Sequence, residues 1–418
     1  MPASPLYLAM DFLSALFFAT IFTVSAVYRV RIAGLDPLQL VLVGTALEAT
    51  AFLFEVPTGV VADSYSRRLS VILGYLLLGA GFLFEGLFPL FAAIVLAQVL
   101  LGLGYTFISG AREAWIADEL GQTDLSRVYL RGAQMGQLGA LLGTGVGVAL
   151  ASVRLNLPFL IGGGAFVALG LGLTLTMPEA GFRPAPAEDR DSKSWRRMGG
   201  TFGAGLATVR ARPVLLTILG IGFFYGAASE AFDRLWALHF LENFRFPDLG
   251  RLDPVVWFGV INACALLLSA GATEVVRRRL DTGSHRAASR ALFAANAALL
   301  GGMIAFGLAG DFALALGSFW VTSLLRQINE PLTAAWTNQS LESRVRATVL
   351  SMRGQADALG QIGGGPVLGA IATGLSLRAA LVIAGLLLTP ALALYARTVR
   401  RDGEAPAGAG RLAGEGSE

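Results

Sequence analysis

Apolar residues run along this chain in stretches of about 20 residues or more, separated by short polar segments that recur almost to the C-terminus. A bilayer's hydrocarbon core of about 30 Å asks for helices of about 20 apolar residues, so each stretch predicts a membrane-spanning helix. There are twelve: 6–30, 36–62, 70–88, 90–117, 126–152, 156–177, 213–241, 254–276, 287–308, 312–338, 346–373 and 376–397. The one long polar connection, 178–212, is rich in Pro, Arg, Asp and Glu and divides six helices from six. The expected organisation is an N-terminal six-helix bundle over 1–177, a linker over 178–212, a second bundle over 213–400 and a disordered tail over 401–418. Inside the linker, Trp195 to Thr208 fit a short amphipathic helix on the membrane surface, and 183–194 fit a flexible tether.

Composition agrees with that pattern. Hydrophobic residues make up 55% and charged residues 15% of the chain, with mean hydropathy +0.64. Soluble domains lie far from these values. Arginines at 67–68, 127, 183–212, 277–290, 344–346 and 397–401 fall on alternate connections. That bias places both termini in the cytoplasm of a multi-pass protein of the cell (inner) membrane. The net charge of +3 then reflects topology, and no nucleic-acid partner is implied. The first apolar run is too long for a signal peptide and is expected to stay as helix 1. A single cysteine, Cys264, excludes an internal disulfide.

The halves match each other. A shift of 222 residues lays Arg131-Gly132 over Arg353-Gly354, Gly143 over Gly365 and Gly147 over Gly369; a shift of 221 lays Ala114-Trp115 over Ala335-Trp336. The fifth helix carries Gly132, Gly136, Gly139, Gly143 and Gly147, and the eleventh carries Gly360, Gly364, Gly365 and Gly369 around Pro366. Small residues at this spacing let helix backbones approach closely, either as static packing or as seams that slide.

Charges inside the bilayer cost at least about 2.5–3.5 kcal/mol each, so they mark cavities or partners. The predicted helices hold Asp11, Glu48, Glu55, Glu85, Arg112, Glu113, Glu230, Asp233, Arg234, Arg326, Glu330, Arg353 and Asp357. Spacing of four offers Arg326 to Glu330, Arg353 to Asp357 and Arg234 to Glu230 on single helix faces. Glu48 has no base within reach on its own helix. These acids are either locked in ion pairs or exchange protons as a cavity opens to alternate sides. Glu48 is the first candidate for exchange, with Glu230, Glu330 and Asp357 behind it and Arg326 and Arg353 beside them. Tyr105 and Tyr225 are expected to line a cavity, because a buried hydroxyl needs a partner. Most other aromatics, Phe17, Phe18, Phe22, Trp236 and Trp336 among them, are expected to be lipid-facing or interfacial. His239 and His285 have no metal-ligand spacing. No phosphate-binding loop is present, so no cofactor is expected and coupling energy must come from a gradient.

Residues Gly59-Val60-Val61-Ala62-Asp63-Ser64-Tyr65-Ser66-Arg67-Arg68 follow Glu55-Val56-Pro57-Thr58 between the second and third helices. This stretch resembles the Gly-x-x-x-Asp-x-x-x-Arg-Arg loop of the major facilitator superfamily, with the Glu-x-Pro-Thr-Gly lead-in of bacterial efflux-type members. The resemblance implies an all-α fold of twelve transmembrane helices in two six-helix bundles related by a pseudo-twofold axis normal to the bilayer. The substrate site would lie between them. It implies a monomeric secondary transporter rather than an enzyme, with proton-coupled efflux of small amphipathic or drug-like compounds as the expected activity. An importer or facilitator of a metabolite is the alternative, and a lipid transporter or sensor a third. Carried onto this chain, Gly59, Asp63, Arg67, Arg68, Glu113 and Asp118 form a conformational latch. In it, Asp63 faces the start of the eleventh helix near 346–351, and Arg67 meets Asp118 or Glu113. Two departures stand out. Gln98 occupies the place of an arginine common in drug–proton antiporters, and the Gly-Pro pair lies in the eleventh helix rather than the fifth.

Overall fold

The computed structural model describes residues 2–121, 124–183, 213–248, 250, 253–279, 285–340 and 343–404. The linker helix expected at 195–208 and the tail after 404 lie outside the described residues. Every described element is a helix: α1 Ala3–Arg31, α2 Pro37–Ser64, α3 Arg67–Leu87, α4 Phe91–Ile108, α5 Ala111–Leu120, α6 Leu125–Val153, α7 Leu157–Thr176, α8 Pro213–Asn243, α9 Val256–Arg279, α10 His285–Leu308, α11 Phe312–Ser340, α12 Ser343–Gly374, α13 Leu377–Leu386 and α14 Thr389–Glu404. The twelve predicted runs are all present, and two of them are broken. The fourth divides into α4 and α5 at Gly110, whose φ of +74° suits glycine alone. The twelfth divides into α13 and α14 just before Pro390, which has no N–H for the preceding turn.

Polar residues start the helices as their chemistry requires. Asp36 and Gln39 form a reciprocal capping box on α2, and Ser66 and Ser376 accept the Leu69 and Ala379 amides at the starts of α3 and α13. Two prolines lie inside continuous helices, Pro57 in α2 and Pro366 in α12. Among the described residues, nine spans are long and apolar enough to cross a membrane. The three that fall short are α9, α11 and α12. The apolar part of α9 among the described residues is Val256–Ala272, while Arg326 and Glu330 interrupt α11 and Arg353 and Asp357 interrupt α12.

The glycine seams are real, and they differ. Gly139, Gly143 and Gly147 of α6 sit on the Phe12, Leu16 and Thr20 carbonyls of α1, so a Cβ at any of them meets backbone. In α12, Gly360 and Gly364 meet Phe223 and Ala227 of α8, Gly365 lies between Glu230 of α8 and Val41 and Thr45 of α2, and Gly369 meets Val41 and Leu38 of α2. The eleventh span is thus wedged between its own half and the other.

Burial shows which end of the bundle is closed. At the end opposite the termini, Leu40, Val41 and Val43 of α2 share one apolar core with Phe232, Leu235 and Leu368. Val24, Val27 and Ala151 share another with Ala237, Val255 and Phe258. Towards the termini the cores separate: Tyr7, Val71, Tyr75 and Trp115 pack within the first half, and Ile218, Leu292, Trp336 and Tyr395 within the second. The halves are therefore sealed at the far end and parted at the end that carries both termini.

Candidate functional site

The parted halves enclose cavities of different character. In the first half, Glu48 of α2 faces a space of ≈ 400 Å³ walled by Phe18, Phe22, Phe82, Leu101 and Tyr105. Glu48 makes no ion pair or hydrogen bond with a described residue. Phe18 and Phe22, expected at the lipid surface, instead stack on each other and against Phe82 as cavity wall, while Trp336 is wholly buried. Aromatic rings supply large apolar area in fixed geometry, which explains their use around a single carboxylate.

Deeper towards the terminal end, Tyr105 and Phe18 also border a second space of ≈ 450 Å³ with Ser14, Tyr75, Arg112 and Glu113. Arg112 reaches Asp11 of α1 at 2.8 Å and Glu113 at 2.9 Å, and lies over the Tyr7 ring at 5.5 Å. The Ser14 and Tyr75 hydroxyls share a hydrogen bond of 2.8 Å beside it.

In the second half the lining is polar. Tyr225, Asp233, Asn262, Ser323, Arg326 and Glu330 border a space of ≈ 500 Å³. Arg326 grips Asp233 of α8 through both terminal nitrogens and lies 5.6 Å over the Phe232 ring. Tyr225 lines the same cavity as this pair. The expected pairing along single helices is therefore corrected. Arg326 turns from Glu330 to Asp233, Arg353 reaches Glu330 at 3.6 Å, and Asp357 accepts the Gln361 amide at 2.7 Å. Cross-helix partners win because a planar guanidinium matches a facing carboxylate with two parallel bonds, which an i to i+4 neighbour on a helix surface seldom allows. Glu230 and Arg234 do pair along α8, at 2.9 Å, and the pair rests on Gly44 of α2, where any Cβ would strike both side chains.

Around the Gly59–Arg68 loop, the helix does not continue through the turn: α2 stops at Ser64 and α3 begins at Arg67. Arg67 reaches Asp118 of α5 at 2.5 Å and Asp63 at 3.7 Å, and Asp63 is largely exposed. Gly59 faces open space, and the Glu113 carboxylate is taken by Arg112. Of the positions 346–351 expected to face Asp63, the side chains of 346–348 lie outside the described residues, and Asp63 makes no ion pair or hydrogen bond with 349–351. The segment after α7 joins this loop. The Glu179 carboxylate accepts the Ser66 hydroxyl and the Arg68 amide, Arg68 donates to the Thr174 carbonyl, and Phe182 lies against Arg67.

Three features escaped the sequence reading. Arg29 and Glu85 form a fully buried pair at 2.7 Å, completed by Gln98 at 2.9 Å. Gln98 thus supports a carboxylate where an arginine would have added a second positive charge. The Asp11–Arg112 and Asp233–Arg326 pairs also escaped, although the repeat held the clue. His239 is buried and bonded to the Phe306 carbonyl at 3.0 Å, and no metal-holding group of His, Cys, Asp or Glu occurs among the described residues.

Two helical halves joined in one chain, sealed at one end around cavities that hold charged side chains, mark a membrane transporter. The chain belongs to the Major Facilitator Superfamily, whose family model matches residues 8–324. It is 22% identical over 363 residues to the uncharacterized MFS-type transporter YxaM of Bacillus subtilis, covering 86% of this chain and 87% of the relative. Its fold matches the nucleoside transporter NupG with a TM-score of 0.74 at 16% identity, over 95% of this chain and 99% of that one. It also matches the peptide transporter POT bound to sulfate, with a TM-score of 0.74 at 16% identity over 95% and 94% of the two chains.

Proposed function

We propose that this transporter exports small amphipathic compounds in exchange for protons. Glu48 carries the reading: a carboxylate in an aromatic pocket, without an ion-pair partner among the described residues, is the group best placed to alternate between proton and substrate. Glu230 with Arg234 stands behind it across the interface, and Asp357, Glu330, Arg326 and Arg353 set the field of the opposite wall. Tyr105 and Tyr225 add hydroxyls on the two sides. In this reading the halves are 1–177 and 213–400, the termini are cytoplasmic in the inner membrane, and the monomer is the working unit. The Arg67–Asp118 contact lies within the first half and holds with the terminal side open, so it positions the loop, and Asp63, with Gly59, Arg68 and Glu113 around it, forms the latch that meets the second half when the terminal side closes. Breaking such partly solvated pairs costs on the order of 1 kcal/mol, which suits a reversible step.

The test is uphill export from proteoliposomes under an imposed proton gradient. Glu48→Gln is expected to abolish accumulation while retaining substrate binding. Undiminished, gradient-dependent transport by that variant sinks the proposal. Import of an anionic metabolite is less favoured, because Arg326 and Arg353 are already engaged by Asp233 and Glu330.

A further inference from the structure

The chamber is closed on one side and slotted on the other. α2 and α12 stay in contact from the Leu38 amide on Thr373, through Gly369 and Gly365, to the Gln355 amide on Glu55. Opposite them, α6 meets α9 near the sealed end, where Val148 packs on Gly259. Nearer the termini the same two helices border a cavity of ≈ 630 Å³. α6 and α9 are the helices through which the halves meet on this side, so a gap between them faces the bilayer.

Lipid alone does not suit the lining of this slot. Gln134 and Gln137 of α6 and Gln327 of α11 are all exposed, beside Leu138, Leu141 and Leu267. None of the three amides bonds to another described residue. Gln134 lies about 14 Å along α6 from its first residue, at hydrocarbon depth. An amide facing hydrocarbon without a partner is unfavourable, so these groups require water or the polar part of a ligand. The slot also shares Leu266, Ser269 and Gln327 with the polar cavity that holds Arg326 and Asp233, giving one continuous path from the bilayer to that pair.

We propose that the α6–α9 slot is a side entrance for a bilayer-borne amphiphile with an uncharged, hydrogen-bonding head. Its alkyl chain lies along Leu138, Leu141 and Leu267, and its head exchanges bonds with the three glutamines on the way into the chamber. An uncharged head follows from the chemistry present: amides both donate and accept, and in the adjoining cavity Arg326 is committed to Asp233 and Glu330 to Arg353. The entrance rests on the transport reading above and specifies what that chamber admits.

The full chain in vesicles of phosphatidylethanolamine and phosphatidylglycerol is photolabelled with a single-chain fatty amide carrying a mid-chain diazirine. Label is expected on peptides covering 134–141 and 266–270 in excess of that at Leu175, a strongly exposed position on α7. Gln137→Leu with Gln327→Leu is expected to lower slot labelling roughly tenfold, equivalent to about 1.4 kcal/mol, with Leu175 unchanged. Leu138→Trp, which fills the slot and keeps the amides, is expected to do the same. Slot labelling no greater than at Leu175, or indifferent to both variants, overturns the entrance. The readout needs no proton gradient. Labelling without coupled export therefore counts against the transport reading alone, and coupled export without labelling against the entrance alone.

Discussion

Asp11 and Asp233 stand 222 positions apart on the first helix of each half, and each holds an arginine from the fourth span of its own half. The equivalence continues along the helices: Asp11-x-Leu13-x-Ala15-Leu16-x-Phe18 repeats as Asp233-x-Leu235-x-Ala237-Leu238-x-Phe240. Both guanidiniums also lie over an aromatic ring, Tyr7 in one half and Phe232 in the other. The two pairs differ in grip. Arg326 uses two parallel bonds to one carboxylate, whereas Arg112 bridges two carboxylates, Asp11 and Glu113, from separate positions.

That difference makes the twin arginines unequal towards lysine. A lysine keeps charge and loses the planar fork, so it still serves between two acids but not in a bidentate grip. Arg326→Lys is expected to destabilise the detergent-purified protein by about 1 kcal/mol more than Arg112→Lys. Thermal unfolding of the two variants side by side measures the gap, and equal losses contradict the distinction.

The buried Arg29–Glu85–Gln98 group offers a stability test. Glu85 is inaccessible to solvent and Arg29 nearly so, leaving no water to replace a lost partner. Glu85→Gln is expected to cost about 3–5 kcal/mol, because a charged guanidinium then stays buried without its counter-ion. Removing both charges, with Arg29→Leu and Glu85→Leu together, is expected to recover much of that loss. A double variant as unstable as the single one argues against charge burial as the cause.

The α1–α6 seam separates close approach from simple helix propensity. At Gly143 a Cβ meets the Leu16 carbonyl, whereas Gly145, two residues on, faces open space. Gly143→Ala is therefore expected to cost about 1–3 kcal/mol through overpacking, and Gly145→Ala to be neutral or slightly stabilising. Thermal unfolding again decides, and equal effects at the two positions contradict the seam.

The fold was legible because hydrocarbon thickness and the absence of water at bilayer depth leave the chain few choices, and apolar runs of this length record them directly. Gly110 was not legible as a break, since one glycine among 52 carries no mark of its positive φ. Ion pairing was misjudged where it crosses helices. Spacing along one helix sees Glu330 four residues from Arg326, and only the fold brings in Asp233 from 93 residues away. The repeat was the available signal, because the shift that aligns Arg131 with Arg353 also aligns the two aspartates. The side slot left no trace in the sequence, where Gln134, Gln137 and Gln327 are merely polar residues in apolar runs.

Gly44 links this geometry to conformational change. The Glu230–Arg234 pair rests on it between α2 and α8, just inside the sealed end, and both side-chain tips occupy the space a methyl group would take. Those tips are flexible, so Gly44→Ala is expected to leave the fold intact and push α8 away from α2 at the seal. Loosening the seal by about 1 kcal/mol raises the population open at the far end roughly fivefold, since 1.4 kcal/mol is a factor of ten. Leu40, buried in the core that closes this end, reports the change. In a Cys264→Ser background carrying Leu40→Cys, thiol labelling from the far side is expected to quicken by that factor when Gly44→Ala is added. An unchanged labelling rate means that the pair yields without moving the helix, and that Gly44 serves packing alone.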